Sequence, residues 1–222
     1  MNRKLKDSAR ASLMAVVPVK PFAEAKRRLA EVLDEVARSE LSHYLMERTL
    51  GVLSRVDGID RVLVISRDPA ALQAARRSGA WSIWESGSGL NSALEQATRI
   101  ALANGADSLL VVPADLPFLT EQDVVALMEL GPEPPCLVIA PADRDQGTNA
   151  LLSKPAGLFR YAFGESSYAE HCRRAERAGA QVQVCRSDGI AFDLDLPEDW
   201  ERVRGSREWP SIQGSLGLEA RE

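Results

Sequence analysis

Leu13-Met14-Ala15-Val16-Val17-Pro18-Val19, running straight into Lys20-Pro21-Phe22-Ala23-Glu24-Ala25-Lys26-Arg27-Arg28-Leu29, is the stretch on which the fold turns. An unbroken apolar run of strand length suits a strand buried on both faces, the kind found inside parallel sheets. The basic loop behind it then falls at the carboxyl end of this first strand, where open α/β sheets bind their ligands.

The pattern repeats outward from there. Val36, Leu41, Leu45, Met46, Leu50 and Leu53 recur at helical spacing between residues 34 and 56. Arg61 to Ile65 reads as a second buried strand, and Asp68-Pro69 as a cap with proline opening a helix to Ser78. Ala80 to Trp84 is a third strand, with both tryptophans expected in the core, and Asn91 to Ala103 a helix. Leu109 to Val112 is a fourth strand, and Thr120-Glu121-Gln122-Asp123 caps the next helix with an acidic first turn. Strand and helix thus alternate through the first 130 residues, which predicts a three-layer α/β/α domain with a mainly parallel, mixed sheet.

Further on, Leu137 to Ala140 and Asn149 to Ser153 read as strands. Ser167-Tyr168-Ala169-Glu170 fits a capping box opening a helix that ends near Gly179. Val182 to Cys185 and Ile190 to Phe192 suit strands, and Pro197 to Arg204 a last helix. The expected organisation is a disordered leader over residues 1–11, a single domain over 12–204 and a mobile, Gly/Ser-rich tail over 205–222.

The 222 residues carry a net charge of −5, which argues against a nucleic-acid partner. No apolar run approaches the roughly 20 residues needed to span a bilayer, and no signal-peptide pattern follows the polar N-terminus. Cys136, Cys172 and Cys185 are odd in number, widely spaced and supported by only two histidines, so they read as reduced thiols rather than disulfides or a zinc site. A cytoplasmic protein acting on small molecules is expected, as monomer or homodimer.

Acids stand out near the end, in Phe192-Asp193-Leu194-Asp195-Leu196-Pro197. Alternate residues of an extended segment point to one face, so Asp193 and Asp195 project together while Leu194 turns inward. Two like charges so placed call for a cation between them, and magnesium suits carboxylate oxygen and phosphate ligands. Pro113-Ala114-Asp115-Leu116-Pro117 sets a third acid directly behind a buried strand, stiffened by two prolines. Asp-x-Asp pairs also serve glycosyltransferases and haloacid-dehalogenase phosphatases; Pro197 and the C-terminal position speak against the phosphatase.

Lys20, Lys26 and either Arg27 or Arg28 can clamp a triphosphate, or simply belong to a solvated loop. Gly89 allows close backbone approach to a nucleotide, and Asn91 can read a base or ribose or cap its helix. Thr148, Gly164 and Ser167 sit in turn and helix-start segments that suit an anion, with His171 one turn further on.

Taken in order, Pro18-Val19-Lys20, Ala25-Lys26, Arg28-Leu29, Gly89-Leu90-Asn91, Pro113 to Pro117, Gly147-Thr148-Asn149-Ala150-Leu151, Phe163-Gly164 with Ser167 and His171, and Asp193-Leu194-Asp195 resemble the 2-phospho-L-lactate or phosphoenolpyruvate guanylyltransferases of coenzyme F-420 biosynthesis. That family is related to the molybdopterin guanylyltransferases and has a nucleotide-diphospho-sugar-transferase-like (GT-A-like) fold. The resemblance implies GTP as co-substrate in the first half, held by Lys20, Lys26, Gly89 and Asn91. It implies two Mg2+ ions on Asp115, Asp193 and Asp195, and a phosphorylated three-carbon acid on Thr148, Gly164 and Ser167. The acid is phosphoenolpyruvate, 2-phospho-L-lactate or 3-phosphoglycerate. Lys20, Lys26 and Arg28 would stabilise the reacting phosphates. Lys20-Pro21-Phe22 replaces the glycine-rich loop of the molybdopterin relatives, which speaks against molybdopterin. A sugar-phosphate nucleotidyltransferase and a non-catalytic nucleotide-binding module are the other readings.

Overall fold

A computed structural model describes residues 12–144 and 146–217. The expected leader, residues 1–11, lies outside the described residues, as do Asp145 and the last five positions of the tail.

Seven strands form one sheet in the order β3-β2-β1-β4-β6-β5-β7. They are β1 (Leu13–Val19), β2 (Arg61–Ser66), β3 (Trp81–Trp84), β4 (Ser108–Val111), β5 (Cys136–Pro141), β6 (Thr148–Lys154) and β7 (Gln181–Val184). Strands β3, β2, β1 and β4 run parallel, with Val16 beside Leu63 on one side and Val111 on the other. Only β6 is reversed, antiparallel to both β4 and β5. The mainly parallel mixed sheet predicted from the alternating pattern is what forms.

Helices cover both faces: α1 (Glu35–Arg55), α2 (Pro69–Arg77) and α4 (Glu121–Glu129) on one, α3 (Leu90–Ala103) and α5 (Ser167–Arg177) on the other. Strand β1 shows why its sequence has no polar alternation. Leu13, Ala15, Val17 and Val19 pack with the first set while Met14 and Val16 pack with the second. The Asp68 carboxylate caps Ala70 N with Pro69 in the first turn of α2, and Thr120 with Asp123 closes a capping box on α4.

A third cluster lies outside the sheet. Leu29, Leu33, Leu41 and Leu45 pack there with Phe192, Leu194, Trp200, Val203 and Ile212. It contains helix α7 (Pro197–Arg204) and helix α8 (Trp209–Ser215), and it fastens the C-terminal segment onto the basic first loop.

Four expectations change. Residues 188–191 form a short helix, α6 (Asp188–Ala191), where a strand over Ile190 to Phe192 was expected. Ser187 O accepts from Ile190 N and Ala191 N, and the Asn149 amide donates to the freed carbonyls of Ile190 and Ala191. The segment from Gly205, expected to be a mobile tail, carries α8, whose Ile212 is fully buried and whose Trp209 meets Trp200 edge-on. Helix α5 opens without the Ser167–Glu170 box: Ser166 takes the cap position and Glu170 pairs with Arg173 and Arg174 instead. Finally, Trp84 is 55% exposed on the edge strand, whereas Trp81 packs against the core as expected, with the Arg61 guanidinium over its ring. No helix among the described residues is long and apolar enough to cross a membrane.

Candidate active site

Behind β1 the chain crosses the carboxyl ends of the parallel strands in two 3-10 turns, Phe22–Glu24 and Arg27–Glu31. Buried Phe22 and Leu29 pin these turns, and Phe22 N donates to the Asp68 carboxylate at 2.8 Å. Between them Lys26 adopts a left-handed backbone, φ 53°. The other two non-glycine residues with positive φ among the described residues, Gln146 and Ser166, flank the acceptor segments proposed from sequence. Local strain of this kind collects where a site over-determines its backbone.

The left-handed turn sends Lys26 inward. Its Nζ donates to Asp115 Oδ2 at 3.1 Å and to Asp195 Oδ1 at 2.9 Å, with only 7% of the side chain exposed. Asp115 follows β4, and its carbonyl accepts from Leu194 N, which ties the two acid-bearing segments together. Leu194 is fully buried in the third cluster, so Asp193 and Asp195 are turned away from it together, as the alternation predicts.

The two acids of that pair are nevertheless in different electrostatic states. Burial, followed by the charges of Asp115 and Asp195, pushes the Asp193 carboxyl up to about 6, against opposing effects of Arg144 and Asn149. Burial also acts to raise Asp195, but the Lys26 ammonium, with Lys20 and Arg28, outweighs it and holds Asp195 below the usual carboxylate range. Lys26 answers in kind: burial alone would lower it, and the Asp115 and Asp195 charges leave it raised.

A cavity of about 580 Å³ opens over these strand ends. Lys20, Lys26, Arg28, Asp115 and Asp195 line it at the β1–β4 end, and Arg67, Glu85, Gly89 and Leu90 at the β2–β3 end. Gly89, with φ 88°, is the cap position of α3. The sequence-predicted phosphate and nucleotide residues therefore share one cavity, apart from Asn91. That amide is spent on backbone: Nδ2 donates to Phe163 O at 3.0 Å and Oδ1 accepts from Phe163 N at 2.7 Å. It joins α3 to the segment before α5, and it neither caps its helix nor faces the cavity.

Thr148, Ser167 and His171 come together beyond the cavity as a buried network. Ala162 N donates to His171 Nε2 at 3.0 Å, so the ring proton sits on Nδ1 and is donated to Thr148 Oγ1, also at 3.0 Å. Ser167 Oγ donates to the same oxygen at 3.2 Å, leaving the Thr148 hydroxyl proton available to a third partner. Burial, helped by Arg174, pushes His171 down to about 4, so the imidazole is neutral at physiological pH. Gly164 lies on the exposed loop in front of α5 with φ 138°. Asn149, the neighbour of Thr148, ties this group to the segment leading into the acids, its Nδ2 donating to Ile190 O at 2.8 Å and Ala191 O at 3.0 Å.

The arrangement suits phosphate chemistry: cations and carboxylates meet at one end of a cleft at the carboxyl edge of a parallel sheet. Residues 13–204 match the sequence profile of a family described as "Guanylyl transferase CofC like". The chain belongs to this CofC-like family. It is 48% identical over 195 residues to a phosphoenolpyruvate guanylyltransferase from Rubrobacter xylanophilus, with 88% of this chain and 95% of that protein covered. It is 35% identical to a 2-phospho-L-lactate guanylyltransferase from Methanothermobacter thermautotrophicus, covering 83% and 81%. Among solved structures, a Desulfovibrio desulfuricans protein provisionally titled a nucleotide-diphospho-sugar transferase superposes with a TM-score of 0.71 at 17% identity, covering 93% of this chain and 96% of that one. That likeness establishes the GT-A-like fold expected from the resemblance.

Around this CofC-like site stand residues that sequence reading passed over. Arg144 Nη2 donates to both carboxylate oxygens of Asp199 at 2.8 Å and to Asp193 O at 3.3 Å. Asp199 Oδ2 in turn accepts from the amides of Asp195 and Leu196, so this ion pair fixes the backbone that carries the paired acids. Gly189 approaches Asp123 and Phe118 so closely that a Cβ there would lie 2.2 Å from Asp123 Oδ2 and 2.9 Å from Phe118 O. Glu85 is a buried acid on the cavity wall with Arg67 Nε at 3.6 Å. Only the last carried a local signal, an acid directly behind a strand and before a Gly/Ser loop.

Proposed function

We propose that this chain transfers GMP from GTP to the phosphate of a small phosphorylated three-carbon acid, releasing pyrophosphate, as a step of coenzyme F-420 biosynthesis. One observation carries the reading: a single cleft ends in Lys20, Lys26 and Arg28 against Asp115 and Asp195, with Asp193 beside them and the Thr148 network beyond. A phosphate oxygen of the acceptor forms a bond to the α-phosphorus of GTP. The bond from that phosphorus to the α,β-bridging oxygen breaks, and pyrophosphate leaves with the electron pair. The attacking oxygen is already anionic, so no general base is required. Positioning and charge neutralisation supply the rate, with Lys20 and Arg28 countering the charge on the departing pyrophosphate. The Thr148 hydroxyl, oriented by His171 and Ser167, and the backbone around Gly164 would hold the acceptor.

Asp115, Asp193 and Asp195 would hold magnesium. The donor chemistry fits it: all three are hard oxygen ligands, Asp115 and Asp195 meet on Lys26, and the charges of both act on Asp193. Among the described residues no three acidic, thiol or imidazole side chains are gathered as a finished metal cage. Lys26 stands hydrogen-bonded between Asp115 and Asp195, so a cation held by those two carboxylates would have to displace it. The bound ion supplies charge neutralisation for the phosphates.

The test is mass spectrometry of products from GTP, Mg2+ and each of phosphoenolpyruvate, 2-phospho-L-lactate and 3-phosphoglycerate, with pyrophosphate measured in parallel. A guanylylated acid is the expected product. Pyrophosphate released only with sugar phosphates, or with no acceptor in the panel, overturns the reading.

A further inference from the structure

We infer that Glu85, backed by Arg67, is the residue pair that selects guanine, an inference that rests on the nucleotidyl-transfer reading above. The cavity runs across four neighbouring strand ends, from Asp115 behind β4, past the loop behind β1, to Arg67 behind β2 and Glu85 behind β3. Neighbouring strands lie about 4.8 Å apart, so the two ends are separated by roughly 14 Å, room for a nucleotide laid across the sheet. With the phosphates committed to the cations at the β1–β4 end, the base falls at the β2–β3 end. Ile65, Leu90 and Ala93 supply apolar walls there, and Leu90 is an exposed leucine that no packing within the domain accounts for.

Glu85 is placed to read the edge of that base. It is only 8% exposed, its backbone N is fixed to Ser66 O, and among the described residues its carboxylate accepts no hydrogen bond. Arg67 Nε stands 3.6 Å away, near enough to fix the charge but outside hydrogen-bond distance. A buried carboxylate facing a cavity with spare acceptor capacity calls for donors. The pair presents a donor from Arg67 followed by two acceptors from Glu85. Guanine offers the complement along its Watson–Crick edge: the O6 acceptor, then the N1–H and N2–H donors. Adenine and cytosine set an acceptor against the carboxylate, and uracil sets its O2 there. Each mismatch strands or repels a buried charge.

The experiment compares kcat/KM of wild type and Glu85→Gln with GTP, ITP and xanthosine triphosphate. Wild type is expected to favour GTP over ITP, which lacks the amino group, by about 10- to 100-fold, the scale of one bidentate base contact. Xanthosine triphosphate, with a carbonyl in place of that amino group, is expected to be poorer still. In Glu85→Gln the side-chain amide can accept from N1–H and donate to that carbonyl, so preference is expected to swing to xanthosine triphosphate. A gain of this kind cannot arise from a misfolded variant. A variant that keeps the wild-type order of GTP, ITP and xanthosine triphosphate overturns the inference. A wild type favouring none of them over ATP does so as well, without any need of the variant. A wild type that turns over no nucleotide with any acceptor refutes the transferase reading instead.

Discussion

Replacing Lys26 by Met keeps the apolar stem of the side chain and removes only the ammonium that bridges Asp115 and Asp195. Breaking a buried ion pair by deleting one partner costs about 3–5 kcal/mol when the remaining charge is fully enclosed. Here the carboxylate side chains are 32% and 39% exposed, so water recovers part of that loss, and the buried ammonium no longer has to be desolvated. The net cost without divalent ions comes down to about 1–2 kcal/mol. On the proposed magnesium assignment the sign reverses for cation binding, because Lys26 would compete for the same oxygens. Freed of that competitor, the variant should bind Mg2+ about tenfold more tightly, equivalent to about 1.4 kcal/mol. Saturating Mg2+ should therefore return its stability to near the wild-type value. Turnover should not return if Lys26 serves the reacting phosphates as proposed, and a loss of about 10²–10³ in kcat is then expected. Urea unfolding in chelator and across a Mg2+ series measures the first two quantities, and steady-state kinetics the third. Equal urea midpoints in chelator, or a variant whose stability responds to Mg2+ less than wild type, would refute the reasoning.

Asp193→Asn should unlink stability from function. The folded carboxyl titrates at about 6 against an ordinary 3.8, so between those values the folded state holds a proton that the unfolded chain has released. Its contribution is therefore intact below about pH 4 and is lost as pH rises through 6. The full shift corresponds to about 3 kcal/mol, and screening at this partly exposed group reduces it to about 1–2 kcal/mol. In chelator, denaturation midpoints of wild type and variant should converge near pH 4 and separate at pH 8, with the inactive variant the more stable; a difference that does not change with pH contradicts this. Gly189→Ala should cost about 1–3 kcal/mol by overpacking, because the Phe118 carbonyl cannot yield and Asp123 is held by Thr120. The displaced α6 leads directly into Asp193, so activity should fall as well; a thermal midpoint and kcat like those of wild type would show that the contact is slack.

What could be read from the chain was local, and what escaped reading was made by distant partners. The strands of the sheet announce themselves because burial on both faces leaves no room for polar alternation, as β1 shows. Asp115 was legible as an acid at a strand end, and Asp193 with Asp195 as an alternating pair. Their unequal charge states were not, since the inequality comes from Lys26, which lies 169 positions before Asp195. Helix α6 was misread as strand for the same reason: Ile190 and Phe192 fit a strand pattern, but Gly189 has to meet Asp123 and Phe118, and Asn149 has to take up the carbonyls. Helix α8 was hidden by flanking glycine and serine, and its stability comes from Leu29, Leu41 and Trp200 around Ile212. That same cluster contains Leu194. Leu29, two residues beyond Arg27 in the basic loop, and Leu194, between the two acids, are buried against one core. The apolar annex behind the site therefore holds the opposing charges in register, so a defect in α8 would reach Lys26 and Asp195 without touching either.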